Sequence, residues 1–124
     1  MKYKTPLFLS SLLIILIGCA EPKFTGTPNP YQGTYVGTES LNGGSHLTVG
    51  DYQLTIYIDV RGQIRIVDVD GITAYGELEG NSFRVVRGSP RQVFDGKITN
   101  KTISGITTEN TFTGDGTFSL TLKK

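Results

Sequence analysis

Three arginines stand close together around a turn-forming segment in the second half of the chain. Arg84, Arg87 and Arg91 surround the Gly-Ser-Pro segment at residues 88–90. Guanidinium groups offer a planar set of donors that fits carboxylate, phosphate and sulfate oxygens, so this spacing predicts a candidate anion-binding patch. The ordinary alternative is that the three charges protect a strand edge or remain solvated at the turn.

A second group of residues places carboxylates where a calcium loop would place them. Asp68, Asp70 and Glu77 fall at three ligand positions of such a loop, with a glycine directly after the second carboxylate. The first ligand position is Ile66, however, and the flanking residues alternate like strands rather than helices. Asp-Gly is also a preferred pair for a hairpin turn, so the sequence favours the hairpin and keeps the three carboxylates as a calcium candidate beside it.

Few other side chains offer catalytic chemistry. His46 is the only histidine, and no nucleophile-elbow sequence accompanies its neighbour Ser45. Asp68, Glu77 and Glu79 could supply the acid pair of a glycosidase only if the fold brought two of them to a suitable separation. One histidine and one cysteine do not suffice for a structural zinc site. We therefore expect no enzymatic activity and no cofactor.

The N-terminus has the composition of an export signal. Two lysines precede an apolar run over residues 7–17, and a small residue, Gly18, precedes the only cysteine, Cys19. As a helix that run rises about 16 Å, whereas a membrane-spanning helix needs about 20 apolar residues. The run is too short for a permanent transmembrane anchor, and we expect residues 1–18 to be a cleaved signal peptide.

Residues 16–19, Leu-Ile-Gly-Cys, are similar to the lipobox of bacterial lipoproteins. This resemblance implies that Cys19 becomes the first residue of the mature chain and carries acyl chains such as palmitate, which give lasting attachment to a membrane. In that family the next residue usually decides sorting, and Ala20 favours the outer membrane if the host has two membranes. The expected location is the cell envelope, with the membrane as a partner through the lipid anchor.

Composition divides the remaining chain into a tether and one domain. Residues 19–30 contain three of the five prolines, which predicts a lipidated cysteine followed by an extended, flexible tether. Residues 31–124 have the length of a single domain with one modest core. Lysine and arginine (12) nearly balance aspartate and glutamate (11), so the charge does not point to a nucleic-acid partner.

That domain alternates apolar and polar residues between recurrent turn residues. The alternation is clearest over residues 52–60, where one face is apolar and Tyr57 lies on the opposite face. Short alternating segments separated by turns predict an all-β fold, a small antiparallel meander. About eight strands are expected, near residues 31–39, 46–60, 63–69, 72–79, 82–88, 91–99, 102–108 and 112–122.

Glycines inside these strands would let the sheet coil sharply, and closure into a barrel would remove exposed edges. The sequence therefore favours a closed barrel over the alternative, a β-sandwich. The segments Gly33–Gly37 and Phe94–Ile98 resemble the glycine-spaced strands of small avidin-like, lipocalin-like and surface-lipoprotein barrels. No tryptophan is present, so the stacking side chains of avidin-type biotin sites are missing.

Three hairpin turns carry predictions of register, because facing positions on paired strands must share a face. Two-residue turns are predicted at residues 100–101 and 70–71, and a three-residue loop is predicted around residues 61–62. The cross-strand pairs that these turns imply are Ile98 with Ile103, Val67 with Ala74, and Ile58 with Ile66.

We interpret the chain as a membrane-anchored envelope lipoprotein that acts as a non-catalytic binding or structural module, with an envelope or extracellular protein as a candidate partner. The alternative is a carrier of a small apolar or anionic ligand in the barrel mouth. Large inward side chains would favour the module, whereas inward glycines beside tyrosines would leave a pocket for a carried ligand.

Overall fold

The computed structural model describes residues 25–42, 49–88, 91–109 and 115–124, which form eight β-strands and contain no helix. The prediction of an all-β domain with about eight strands is confirmed, because the short alternating segments between turn residues do become strands. The strands are β1 (Gly33–Leu41), β2 (Gly50–Ile58), β3 (Gln63–Val67), β4 (Thr73–Glu77), β5 (Ser82–Gly88), β6 (Arg91–Thr99), β7 (Thr102–Glu109) and β8 (Gly116–Leu122).

All eight strands belong to one antiparallel sheet that curls into a nearly closed barrel. Consecutive strands pair from β1 to β4 and from β5 to β8, and the first strand pairs with the last. Between β4 and β5 the described residues form only one bridge, which joins Glu79 and Ser82 at the connecting turn. The meander is confirmed as a barrel rather than a two-sheet sandwich. It has one unsealed line, between β4 and β5, which we call the seam.

Alternating side chains from every strand fill the interior. In β5, Phe83, Val85 and Arg87 are buried while the residues between them are exposed. Burial of apolar surface of this kind is the main favourable contribution to folding. The core consists of Tyr35, Leu54, Ile56, Ile58, Ile64, Ile66, Ala74, Phe83, Val85, Phe94, Ile98, Ile103, Phe118 and Leu120.

Inward glycines are covered by large neighbouring side chains. Gly96 lies opposite Gly105 on the paired strands β6 and β7. The ring of Phe83 occupies the place of a side chain on Gly96, and the ring of Phe118 does the same at Gly105. These two rings stack with centroids 6.3 Å apart. The space that the two glycines leave is therefore filled by aromatic rings.

The turn at residues 100–101 forms as predicted. Asn100 and Lys101 have φ of 51° and 65°, the left-handed conformation that a type I′ turn requires at both central positions. Ile98 lies opposite Ile103, so the predicted register of β6 and β7 is confirmed.

The other two predicted registers are wrong. Val67 pairs with Thr73 rather than with Ala74, because the loop around residues 70–71 has three residues instead of two. Ile58 pairs with Ile64 rather than with Ile66. That loop has the predicted three residues, but it begins one residue earlier than expected.

One repeated motif, Asp-Val-X-Gly, explains both corrections. Oδ1 of Asp59 accepts the backbone N–H groups of Arg61 and Gln63 at 2.8 and 2.9 Å. Oδ1 of Asp68 accepts the equivalent N–H groups in the second loop. The glycine three residues after each aspartate has φ of 85° or 81°. An aspartate that binds the loop backbone, followed by a left-handed glycine, determines a three-residue loop.

The two ends of the barrel are distinguished by the turns and chain segments that lie at each of them. The N-terminal segment meets the end that carries the turn at residues 100–101, where the N–H of Asn29 donates to the carbonyl of Val60 at 2.8 Å. We call this the proximal end. The opposite, distal end carries the turn at residues 68–72 and the C-terminal ends of β1, β5 and β7.

Candidate functional site

A group of polar side chains lies inside the barrel at its distal end. Glu39, Arg87, Gln92 and Thr107 are only 2–5% exposed, and the side chain of Asp68 is 10% exposed. Each occupies an inward position in its strand or directly after it, so the alternation of the sheet directs all five into one space. We refer to these five residues as the distal polar cluster.

Arg87 joins the acidic and amide groups of the distal polar cluster. Its Nη1 donates to Oδ2 of Asp68 at 2.7 Å, and its Nη2 donates to Oε1 of Gln92 at 2.7 Å. Nε2 of Gln92 donates to Oγ1 of Thr107 at 2.6 Å and to Oε1 of Glu39 at 3.3 Å. Because Asp68 precedes β4 and Arg87 belongs to β5, their ion pair crosses the distal end of the seam.

Glu39 is the member of the distal polar cluster whose negative charge is least stabilised by its surroundings. Among the described residues its carboxyl group accepts one hydrogen bond, from Gln92. Burial raises the pKa of this carboxyl group to about 7, although the bond from Gln92 offsets part of the effect. The charges of Asp68 and Arg87 act on this pKa in opposite directions. Glu39 therefore changes charge near neutral pH, beside one guanidinium and a second carboxylate.

Replacing Glu39 by glutamine is expected to stabilise the barrel above neutral pH and to change little in acid. The pKa rises from 4.5 to about 7 on folding, so the folded state holds the proton more tightly. The contribution of this group to stability is therefore lost as the pH increases from about 4.5 to about 7. Glu39→Gln avoids a loss of roughly 3 kcal/mol at pH 8. Urea unfolding of both proteins at pH 4.5 and pH 8 measures the difference, and identical pH dependence would contradict it.

The three arginines of the predicted anion-binding patch do not gather on one surface. Arg87 is turned inward and is 5% exposed. Arg84 points outward and pairs with Asp95 at 3.2 Å, and Arg91 is exposed at the start of β6. Residues separated by an odd number of positions in a strand face opposite sides, which is why Arg84 and Arg87 part.

The carboxylates of the calcium candidate are also separated. Oδ2 of Asp68 is paired with Arg87, and Oδ1 is bonded to the backbone of its own loop. Asp70 is exposed in that loop, whereas Glu77 lies at the far end of β4, where it accepts a bond from Nε2 of Gln63 at 3.2 Å. Across the described ranges, no three aspartate, glutamate, histidine or cysteine side chains group as metal ligands.

Several predicted residues lie outside the part of the chain that the structure describes. They include Cys19, His46 and the whole signal peptide, residues 1–18. Cleavage and lipidation therefore stay predictions. The described segments include no helix with the length and apolarity needed to cross a membrane.

The outer face of the barrel carries shallow polar surfaces. Tyr57 lies on the outward side of β2, as predicted, and the guanidinium of Arg65 lies 4.0 Å from the centre of its ring. A shallow depression of about 450 Å³ lies between β5, β6 and β7, lined by residues that include Asp95, Lys97 and Ile106. These features are open to a partner, unlike the distal polar cluster.

Sequence reasoning missed Glu39, Gln92 and Thr107. A signal for the first was present, because Glu39 shares the two-residue period of β1 with the inward positions Tyr35 and Leu41. Extending the alternation along each strand would have placed these polar groups inside. Gln92 is the direct cross-strand partner of Arg87 on the neighbouring strand β6, whereas its contact with Glu39 depends on how β1 and β6 lie around the barrel.

The fold and the site together define a class of protein: a small eight-stranded antiparallel barrel with a packed interior, a distal polar cluster and a seam between β4 and β5. Comparison of the chain with models of protein families, with curated proteins and with solved structures found no match.

Proposed function

We propose that this chain is a lipid-anchored protein of the cell envelope whose barrel acts as a non-catalytic binding or structural module. The observation that carries the proposal is the packed interior, where Phe83 covers Gly96 and Val85 covers Gly76. An eight-stranded barrel has room for its own side chains or for one small ligand. The carrier alternative needs space that these side chains occupy, so the packing favours partners on the outer surface.

The distal polar cluster supports a role without catalysis. Glu39, the carboxyl group with the shifted pKa, is 2% exposed and is bonded to another interior side chain. Arg87 is also committed to interior partners. Groups held in this way serve the stability and the pH response of the barrel more readily than the binding of a substrate.

The lipobox-like residues 16–19 support the anchor, and Ala20 favours the outer membrane in a host with two membranes. The chain between Cys19 and Thr25 spans at most about 20 Å when fully extended. Because the described chain joins the barrel at its proximal end, so short a connection favours a proximal end that faces the membrane. The distal end would then be presented to another envelope or extracellular protein.

Cys19→Ser is expected to abolish acylation of the chain, because the lipid attaches through the thiol that this change removes. The full chain is expressed in a bacterium supplied with an alkyne analogue of palmitate, and the label is detected on the purified protein. The wild type should carry the label and a mature mass that begins at residue 19. The Ser11→Ala variant, altered within the apolar run, should behave like the wild type. Label that persists in Cys19→Ser would overturn the anchor.

A further inference from the structure

Every lysine in the described ranges lies in the proximal half of the barrel. They belong to β6, to the turn that follows β6 and to the segment after β8, and each is exposed: Lys97, Lys101, Lys123 and Lys124. Across the described ranges, no carboxylate forms an ion pair with any of them. Their charges therefore remain available to an anionic partner.

Three of these lysines form one surface. The N–H of Leu122 donates to the carbonyl of Lys101 at 2.9 Å, so the end of β8 lies against the turn at residues 100–101. Lys123 and Lys124 follow that contact directly, and we call Lys101, Lys123 and Lys124 the proximal lysine surface. Lys97 lies about 10 Å along β6 from that turn, farther than the distance of about 8 Å over which physiological salt screens a charge.

The carboxylates of the proximal end belong to other turns. Asp59 lies beside Arg61 in the loop between β2 and β3, where its Oδ1 accepts N–H groups of that loop. Glu77 and Glu79 lie where β4 leads into the turn before β5. An α-carboxylate on Lys124 would offset one charge of the proximal lysine surface and leave the surface positive. The net positive charge of this end therefore lies on the side of β6, β7 and β8.

The distal end of the barrel has the opposite sign. Asp51, Asp70 and Asp115 are exposed there, and Arg91 is the exposed basic side chain that the described ranges place beside them. A barrel with this distribution of charge is attracted to a negatively charged surface through its proximal end and repelled through its distal end.

The path of the chain leads to the proximal end as well. The connection between Cys19 and Thr25 spans at most about 20 Å, and the described chain reaches the barrel where the N–H of Asn29 donates to the carbonyl of Val60. Acyl chains on Cys19 would therefore hold the proximal lysine surface close to the lipid headgroups. Each lysine near an anionic bilayer favours contact by about fivefold, so three favour it by about a hundredfold.

We propose that the proximal lysine surface docks the barrel on the anionic headgroups of a phospholipid bilayer and holds its distal end away from the membrane. An anchor at one point limits the distance between the barrel and the bilayer. Contacts at the turn after β6 and at the end of β8 also restrict the rotation of the barrel. This inference rests on the proposed function, because it names the surface through which the anchored module meets the membrane.

Energy transfer from the barrel to labelled lipid headgroups tests this orientation. The full chain is purified in detergent with one added thiol that carries a donor dye, at Thr99→Cys beside the proximal lysine surface or at Thr108→Cys towards the distal end. Both side chains are exposed. Each protein is reconstituted in vesicles of phosphatidylcholine alone, and in vesicles in which about one third of the lipid is phosphatidylglycerol. A headgroup-labelled lipid is the acceptor in both.

Two triple variants of the dye-labelled chain remove the same amount of charge from different places. One combines substitutions within the proximal lysine surface: Lys101→Gln, Lys123→Gln and Lys124→Gln. The matched control removes three exposed positive charges from the side of the barrel: Arg65→Gln, Arg84→Gln and Arg91→Gln.

Phosphatidylglycerol should raise transfer from position 99 by about twofold and should not raise transfer from position 108. The lysine variant should lose this rise, and the arginine control should keep it. A rise that persists in the lysine variant, or equal transfer from position 99 in both kinds of vesicle, would overturn the contact with lipid. The mass of the same preparation reports acylation. A chain without acyl groups would overturn the anchor and this inference with it, whereas an acylated chain without the rise overturns the lysine contact alone.

Discussion

Replacing Gly105 by alanine is expected to destabilise the barrel by about 3–5 kcal/mol, at or above the upper end of the range for overpacked cores. A Cβ at this position would overlap the carbonyl oxygen of Asp95 and would lie 2.7 Å from Cα of Gly96. Both atoms belong to the backbone of the paired strand β6. A side-chain rotation therefore cannot relieve the clash, and the two strands would have to separate at this point.

Gly88→Ala is the matched control for this prediction. Gly88 also lies in a strand, but no heavy atom lies within 4 Å of a Cβ built there, and its φ is outside the left-handed region. Its expected effect is within about 0.5 kcal/mol. Urea unfolding followed by far-ultraviolet circular dichroism measures both variants. Similar losses in the two would show that β6 and β7 do not approach as closely at Gly105 as the structure describes.

Arg87→Met is expected to cost about 3–5 kcal/mol, although methionine fills much of the same volume. The change leaves the carboxylate of Asp68, which is 10% exposed, without its ion-pair partner at 2.7 Å. It also removes the donor to Oε1 of Gln92 inside the barrel. A buried charge or polar acceptor that loses its partner bears the full cost of desolvation, which is larger than the net value of the bond itself.

A second substitution separates the charge from the loss of packing. Asp68→Asn removes the negative charge and keeps Oδ1, which accepts the loop N–H groups of Asp70 and Ile72. The double variant with Arg87→Met and Asp68→Asn should recover about 1–2 kcal/mol relative to Arg87→Met alone. Urea unfolding at pH 7 checks both steps. If the second change recovers nothing, water or another group already compensates the charge of Asp68.

The strands were predictable because their signal is local. Alternation over residues 82–88 separates the buried Phe83 and Val85 from exposed neighbours, and the same period marks the remaining strands. The turn at residues 100–101 was predictable for a related reason, since strand segments of matching period flank it on both sides. The registers around the two Asp-Val-X-Gly loops were predicted wrongly, because the length of each loop depends on backbone N–H groups that donate to the aspartate side chain rather than on the Asp-Gly pair.

The candidate site was predictable only in fragments. Arg87 and Asp68 were each singled out, but in two different patterns, an anion-binding patch and a calcium loop. Their 2.7 Å contact joins residues nineteen positions apart on opposite sides of the seam. Gln92 and Glu39 are 53 positions apart, and nothing in the spacing of two such residues indicates that they meet.

The amino-acid sequence by itself determined that this protein is an all-β meander, which residues each strand directs inward, and the lipobox-like segment that underlies the proposed anchor. These properties follow from periodicity and from short motifs, whose physical effects extend over a few residues. The glycine-spaced strands also favoured a closed barrel, but only the tertiary structure decided that the seam lies between β4 and β5 and that five inward polar groups share one space. Those outcomes depend on the coiling of the whole sheet, which brings together residues that no local interaction connects.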